Sequence, residues 1–183
     1  MRHRGSAAVV LACWCAHAVH HVARGTPLDL LWACNVAVPI LALGLLLGAP
    51  LPSAVALLWL SFGTPVWLVD LASGAGLVVT SPLVHVVAPV AGVIGMRRLE
   101  WPRRAWLAAS LASVVLLAVS RLVGEPGPNV NLAFRIHPGW ERLFGTHPRQ
   151  LAALLLASTL VFFFVDHAVR RLLERAKRGA RTG

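Results

Sequence analysis

The sequence predicts an all-α, polytopic bundle of about six transmembrane helices, and three observations support this fold class. The first is composition: 57% of the 183 residues are hydrophobic and 13% are charged, against about 25% charged residues in soluble domains. The second is that apolar stretches repeatedly approach the roughly 20 residues that span a bilayer. The third is that Lys and Arg lie between and beyond those stretches. We therefore treat residues 1–183 as one transmembrane helical domain.

The six predicted spans are separated by segments typical of turns. They cover roughly 7–23, 28–47, 53–70, 75–96, 104–123 and 150–170. Gly48-Ala49-Pro50-Leu51-Pro52 separates the second from the third, and Asp70 with Ser-Gly-Ala-Gly separates the third from the fourth. We expect prolines inside the spans, such as Pro39, Pro65 and Pro89, to bend their helices while neighbours satisfy the freed carbonyls.

The basic residues predict the orientation. A net charge of +10 would suggest nucleic acid in a soluble protein, but here the cations flank apolar runs, so we expect no nucleic-acid partner. With the N-terminus inside, twelve Lys and Arg fall on one side and five on the other. The positive-inside rule then places both termini in the cytoplasm of a cell-membrane protein. Residues 171–183 would form a basic cytoplasmic tail.

The N-terminal segment has a second interpretation. A basic start, an apolar middle and an A-x-A ending resemble a secretory signal peptide. Apolar residues continue to Ala23, however, and His17, His20 and His21 are unusual beside a cleavage site. We therefore favour a retained first helix. Cys13, Cys15 and Cys34 make an odd count, which excludes a complete set of disulfides within the chain.

Polar side chains inside the spans are costly and indicate a candidate site. A helix rises 1.5 Å per residue, so Cys34 and His17 are predicted to lie about 9 Å from the outer face and His85 about 15 Å. Asn35 follows Cys34, and Asp70 marks the outer end of the third span. These residues are therefore expected to share the outer half of the bundle.

A thiol and an imidazole at similar depth are sufficient for covalent acyl chemistry. The imidazole removes the thiol proton, and the thiolate attacks an ester carbonyl. The alternative is that Cys34 is a packed apolar residue and His85 a hydrogen-bonded core histidine, and on spacing alone that alternative is favoured. Asn129 and Asn131 either form Asx-turns or bind a headgroup or an oxyanion.

Other histidine chemistry is open on spacing alone. His17 and His21 are four residues apart, which is metal-ligand spacing, but no carboxylate accompanies them in that helix. His17 and His85 together are in principle able to ligate a haem. We assign neither a metal nor another cofactor. Asp166 is expected to pair with Arg170 one helical turn later.

Four stretches together resemble a known family. Four features occur in a fixed order. They are a cysteine early in one span, a Trp-x-x-x-Gly span, a histidine in the next span and a Gly-x-Asn loop before the last span. The stretches are LDLLWACNVAVPILAL, LLWLSFGTPVWLVD, TSPLVHVVAPVAGV and GPNVNLAF. They resemble the YwaF-like bacterial integral membrane proteins, related to transmembrane phospholipid O-acyltransferases. The resemblance implies lipid-ester chemistry with Cys34 and His85 as the catalytic pair. Trp32 stands where the bacterial family commonly has a histidine.

Three functions follow as hypotheses. The first is a membrane enzyme that transfers or hydrolyses the acyl group of a lipid ester, with Cys34 and His85 catalytic and Asn35, Asn131, Asp70 and His17 around the substrate. The second is a terpene cyclase or isomerase that uses Asp70 as the acid and Trp67 among its aromatic walls. The third is a non-enzymatic membrane subunit. In the first two, the ligand is a membrane lipid or a hydrophobic small molecule. The oligomeric state does not follow from the sequence.

Overall fold

A computed structural model describes residues 2–74 and 76–182, with side chains from His3 to Arg175 apart from residue 75. Every regular element within those residues is helical, so the all-α prediction is confirmed. The α-helices are α1 (Arg2–Ala23), α2 (Ala33–Leu47), α3 (Pro50–Ala72), α4 (Ala88–Met96), α5 (Ala105–Val123), α6 (Glu141–Phe144) and α7 (His147–Thr182). Two 3-10 turns, Pro27–Leu31 and Val130–Leu132, and a π-helical turn, Leu83–Val87, complete the set.

Four helical segments are long and apolar enough to cross a membrane. They are His3–Ala23, Pro50–Ala72, Ala105–Val123 and His147–Arg175. Two shorter apolar helices, Ala33–Leu47 and Leu83–Met96, lie where the second and fourth spans were predicted. The described residues thus form a bundle of apolar helices suited to a membrane, with four candidate spans and two shorter apolar helices.

The two shorter helices correct the sequence prediction at their starts. The span predicted from residue 28 is interrupted, because Pro27–Leu31 is a 3-10 turn and Trp32 has an extended ψ of 139°. The span predicted from residue 75 becomes helical only at Ser81. Depths counted at 1.5 Å per residue from those starts therefore do not hold for Cys34 and His85. Helix α1 does end at Ala23, the position from which the depth of His17 was counted, and that depth stays a prediction.

Helix α3 is the centre of the packing. It contacts α2, α4, α5 and α7, while α1 packs on α2 and α4. Leu41, Leu58 and Phe162 are almost completely buried between these helices. The indole N–H of Trp59 donates to the Ala109 carbonyl at 3.1 Å, which joins α3 to α5. Many large apolar side chains on the outer surfaces are exposed, as expected of helices that face lipid.

Helix α7 is longer than a bilayer is thick. Its 36 residues extend roughly 54 Å, against a hydrocarbon core of about 30 Å. The first part of the predicted basic tail therefore continues this helix. The side chains of Lys177, Arg178 and Arg181 lie outside the described part. The predicted Asp166–Arg170 pair is confirmed, with carboxylate and guanidinium 3.0 Å apart.

Close packing at Gly44 allows a direct test of this arrangement. A Cβ there would lie 2.9 Å from the backbone nitrogen of Ser53 at the start of α3 and would also overlap the Ser53 hydroxyl. Relief of this overlap requires a shift of the backbone of α3, so Gly44→Ala is expected to lower the free energy of unfolding by about 1–3 kcal/mol. Gly5→Ala is the matched control, since nothing lies within 4 Å of that position. Thermal unfolding in detergent should show a loss at Gly44 only; equal melting temperatures would contradict the packing.

Candidate functional site

Cys34 is the second residue of α2, in the first turn. Its thiol donates a long hydrogen bond, 3.8 Å, to the Asn35 side-chain oxygen. The backbone N–H of Asn35 is engaged elsewhere, since it donates to the Trp32 carbonyl at 2.8 Å. On the other side lies α3: a Cβ built on Gly63 would be 3.4 Å from the Cys34 Cβ. Glycine at position 63 thus lets α3 approach the thiol closely. The start of α2 at Ala33 places Cys34 at the positive end of a helix, which the sequence did not reveal.

Asn131 fixes the start of α2. Trp32 precedes the helix and offers no side-chain cap. Instead, Oδ1 of Asn131 accepts a hydrogen bond from the Ala33 N–H at 2.9 Å. Its Nδ2 donates to the Leu31 carbonyl and the Ser120 hydroxyl, both at 2.8 Å. A distant loop therefore supplies the cap that the helix lacks. Asn131 therefore holds the backbone just before Cys34 in place. Its proposed contact with substrate stays a prediction.

His85 lies inside the π-helical turn, and Pro89 explains the local geometry. A proline has no N–H, so Pro89 cannot donate to the carbonyl four residues earlier, which is that of His85. The Thr64 hydroxyl of α3 donates to this carbonyl instead, at 3.2 Å. The Ala88 N–H reaches back five residues to Leu83, as in a π-bulge. The irregularity turns His85 towards α3 in a buried position.

The ring of His85 is fixed in both orientation and tautomer. Nδ1 lies 3.0 Å from the Ser81 carbonyl oxygen, which can only accept, so Nδ1 carries the proton. The neutral ring then presents Nε2 as the basic nitrogen. Trp67 stacks on the ring with centroids 4.6 Å apart and planes 7° apart. Trp67 therefore supports the imidazole, a contact that its helical spacing from Asp70 did not predict.

His17 joins the same region from α1. It is 2% exposed, and Nδ1 shares a hydrogen bond of 2.8 Å with the Thr80 hydroxyl. Asn35 lies within hydrogen-bonding reach of its ring, and His85 is near enough to interact with it electrostatically. Asn35 in turn donates to the Asp29 backbone carbonyl at 2.7 Å. His17, Asn35 and His85 thus surround one buried polar centre.

A second histidine connects this centre to the surface. His21 packs edge-on against His17, with ring centroids 4.5 Å apart. Its Nδ1 lies 2.9 Å from the Thr26 hydroxyl and 3.5 Å from the Asp29 carboxylate. Nowhere in residues 3–74 and 76–175 do three His, Cys, Asp or Glu side chains come together in a way that could hold a metal ion. Thr26 and Asp29 were missed in the sequence, because Thr26 lies between two predicted spans and Asp29 only at the very start of the second.

Asp70 stands apart from the centre. Its side chain is 56% exposed at the end of α3, with Oδ1 3.8 Å from Nε2 of His137. Trp67, one turn earlier, faces His85. The structure therefore places Asp70 at the rim, as the sequence predicted, without joining it to Cys34 or His85.

Cys34 and His85 flank the same turn of α3. Cys34 lies beside Gly63, and the His85 carbonyl is bound by the adjacent Thr64. No hydrogen bond joins thiol and imidazole among the described side chains, because the thiol donates to Asn35 and Nδ1 of His85 to Ser81. Cys34 and His85 therefore both lie against one turn of α3, but their side chains do not form a hydrogen-bonded pair.

A cavity of about 540 Å³ opens beside the 3-10 turn before α2. Its walls are Gly25, Thr26, Pro27, Leu28, Asp29, Glu125 and Pro128. Asp29 lines the cavity, and its backbone carbonyl accepts a hydrogen bond from Asn35 of the buried centre. Thr26 also lines the cavity and binds His21, so both residues connect the cavity to the centre.

Comparison with protein-family models, curated proteins and solved structures finds no match for this chain.

Proposed function

We propose that the protein is a six-span enzyme of the cell membrane, with both termini cytoplasmic, that acts on a lipid ester through Cys34 and His85. The observation that carries the proposal is the placement of both residues against one turn of α3, with Cys34 at the start of a helix. The four long apolar helices support four of these crossings, and the two shorter ones are proposed to supply the other two. The resemblance to YwaF-like proteins supports the same pair.

The chemistry follows from the groups present. Nε2 of His85 takes the proton of the Cys34 thiol, and the thiolate attacks the ester carbonyl carbon. A C–S bond forms, the ester C–O bond breaks, and the leaving alkoxide takes the proton from His85. The hydroxyl of a second lipid, or water, then gives its proton to His85 and attacks the thioester carbonyl carbon. The C–S bond breaks, and the Cys34 thiolate takes that proton back from His85. The first acceptor gives acyl transfer and the second gives hydrolysis.

The start of α2 favours the nucleophile. A buried thiolate needs compensating positive potential, and the amino end of a helix carries about half a unit charge. The Asn35 N–H already donates to the Trp32 carbonyl at 2.8 Å. The Cys34 N–H, in the first turn of α2, is therefore the one suited to stabilise the oxyanion that forms next.

The proposal requires the pair to close when substrate binds. Catalytic hydrogen bonds are often long in free enzymes and shorten in the substrate complex. The mechanism needs the Cys34 thiol to exchange its weak 3.8 Å bond with Asn35 for one with His85. Asn35 and His17 are then available to the substrate. The cavity beside Asp29 offers space for a lipid headgroup next to the centre.

Trapping the acyl-enzyme tests the proposal directly. Purified protein is incubated with phospholipid carrying a labelled acyl chain, and its intact mass is measured. We expect a mass increase equal to one acyl group, located on Cys34 and removed by neutral hydroxylamine, which cleaves thioesters. The variant Cys13→Ala/Cys15→Ala is the matched control and should still be acylated. Acylation that survives in Cys34→Ala, or its absence with every ester offered, would contradict the mechanism.

No specific observation favours the cyclase alternative. A carboxylic acid that protonates an alkene must be shielded from water, whereas Asp70 is exposed and close to His137. Trp67 is engaged with His85 and does not form a wall beside Asp70.

A further inference from the structure

The arginines of three separate segments meet at one end of the bundle. The start of α1 touches the end of α4, since a Cβ built on Gly95 would lie 3.1 Å from the Ser6 Cβ. The loop between α4 and α5 touches α7, because the indole N–H of Trp101 donates to Asp166 at 2.7 Å. These two contacts bring Arg4, the α4–α5 loop and residues 166–175 of α7 to the same end, opposite the polar centre.

The two ends differ strongly in charge. Among the described side chains, the end with Trp101 carries eight arginines and three acids. The arginines are Arg4, Arg97, Arg98, Arg103, Arg104, Arg170, Arg171 and Arg175, and the acids are Glu100, Asp166 and Glu174. The other end carries five arginines and four acids. The net charge is therefore +5 at the end with Trp101 (eight minus three) and +1 at the other end (five minus four).

The charge is densest where α5 begins. Arg103 and Arg104 precede the helix, its first turn contains no acidic residue, and no side chain caps it. Cations at the amino end of a helix are repelled by the helix dipole. Arg104 is also held in the left-handed region, at φ 57°, which an L-residue adopts only at a cost. Arg97, Arg98, Arg103 and Arg104 are all exposed, and Glu100 is the single acid in the loop that joins the two pairs.

Helix α7 borders the same group of arginines on another side. Asp166 is fully buried and lies 3.0 Å from Arg170, holding that guanidinium next to Trp101. Nε of Arg170 is buried without a hydrogen-bond partner. Arg171 is exposed, and Leu172 beside it is 63% exposed. Positive and apolar groups thus adjoin, which matches an amphiphile with an anionic head.

We propose that Arg97, Arg98, Arg103, Arg104, Arg170 and Arg171 form a binding site for an anionic phospholipid. The phosphate would lie over the start of α5, and the acyl chains along the apolar face of α7. Basic pockets between transmembrane helices on the cytoplasmic side are suited to such headgroups. The site is separate from the Cys34 centre, and it does not depend on the catalytic proposal.

Native mass spectrometry of the full-length protein tests the site. The protein is exposed to equal amounts of phosphatidylglycerol and phosphatidylcholine with identical acyl chains, and the retained lipids are counted. We expect preferential retention of phosphatidylglycerol, reduced about 10- to 30-fold in Arg103→Gln/Arg104→Gln. The matched control is Arg142→Gln/Arg149→Gln, two exposed arginines at the other end, which should retain the preference.

Three outcomes would overturn the proposal. The first is an equal loss in both double variants, which would show a response to total charge only. The second is no loss in either. The third is displacement of the lipid by millimolar inorganic phosphate, which would indicate a small-anion site. Thermal unfolding checks each variant, and Arg97→Gln/Arg98→Gln replaces the first pair if that variant fails to fold.

Discussion

Replacing Cys34 by alanine is expected to lower the rate of ester turnover about a thousand-fold or more, because no other group can form the acyl-enzyme. Cys34 is the thiol placed against the turn of α3 that also contacts His85, whereas Cys13 is buried within α1 and Cys15 is exposed on it. Turnover is measured as acyl release from labelled phospholipid in liposomes. Cys13→Ala is the matched control and should retain the wild-type rate.

His85 should behave as the partner of Cys34 and not as a separate contributor. His85→Ala removes the base, while Trp67 and Thr64 remain to preserve the fold around it. Since groups that act as one unit are non-additive, the double variant should be hardly slower than Cys34→Ala alone. Full turnover in both single variants, with folding confirmed by thermal unfolding, would eliminate the pair as catalysts.

Helix type and order could be predicted from the sequence because they depend on local composition. Apolar length placed α1, α3, α5 and the membrane part of α7 within a few residues of their observed bounds. The starts of the helices that carry Cys34 and His85 could not be placed in this way. Trp32 is extended just before α2, and residues 76–80 before Ser81 are not helical. Apolar composition does not distinguish an α-helix from a 3-10 turn or an extended segment.

The candidate site was predicted as a set of residues but not as a geometry. The free carbonyl of His85 follows from Pro89 and is readable in the sequence. Its donor, Thr64, lies 21 positions away on another helix, so only tertiary packing reveals it. The same holds for Thr80 with His17, and for Trp67, whose stacking on His85 depends on how α3 faces the π-helical turn. Long-range polar contacts of this kind leave no periodic signal.

Asn131 is the clearest such case, and its replacement should have the largest effect on stability. One side chain satisfies the Ala33 N–H, the Leu31 carbonyl and the Ser120 hydroxyl. Asn131→Ala leaves these groups without their partner, and each unsatisfied buried group costs about 1–3 kcal/mol. Because water can reach a half-buried position, we expect a total loss of about 2–4 kcal/mol in the free energy of unfolding.

Comparison with Asn131→Gly separates the hydrogen bonds from the backbone conformation. Asn131 has φ 52°, where alanine is strained by roughly 1–2 kcal/mol and glycine is not. Both variants should be destabilised, with the glycine variant the less affected by about that difference. If Asn131→Gly were as stable as the wild type, the three hydrogen bonds would contribute nothing and the cap on α2 would be unimportant.

The same substitution should expose the thiol. Without the cap on Ala33, the first turn of α2 is expected to open, because unsatisfied N–H groups favour fraying of a helix end. Cys34 would then react faster with a membrane-permeant maleimide, measured in a Cys13→Ala/Cys15→Ala background so that only one thiol is modified. Asn129→Ala is the matched control, since Asn129 binds the backbone of Phe134 and Arg135 and makes no bond to α2. An equal increase in both variants would indicate general loosening of the outer loop and would argue against a specific link between Asn131 and the position of Cys34.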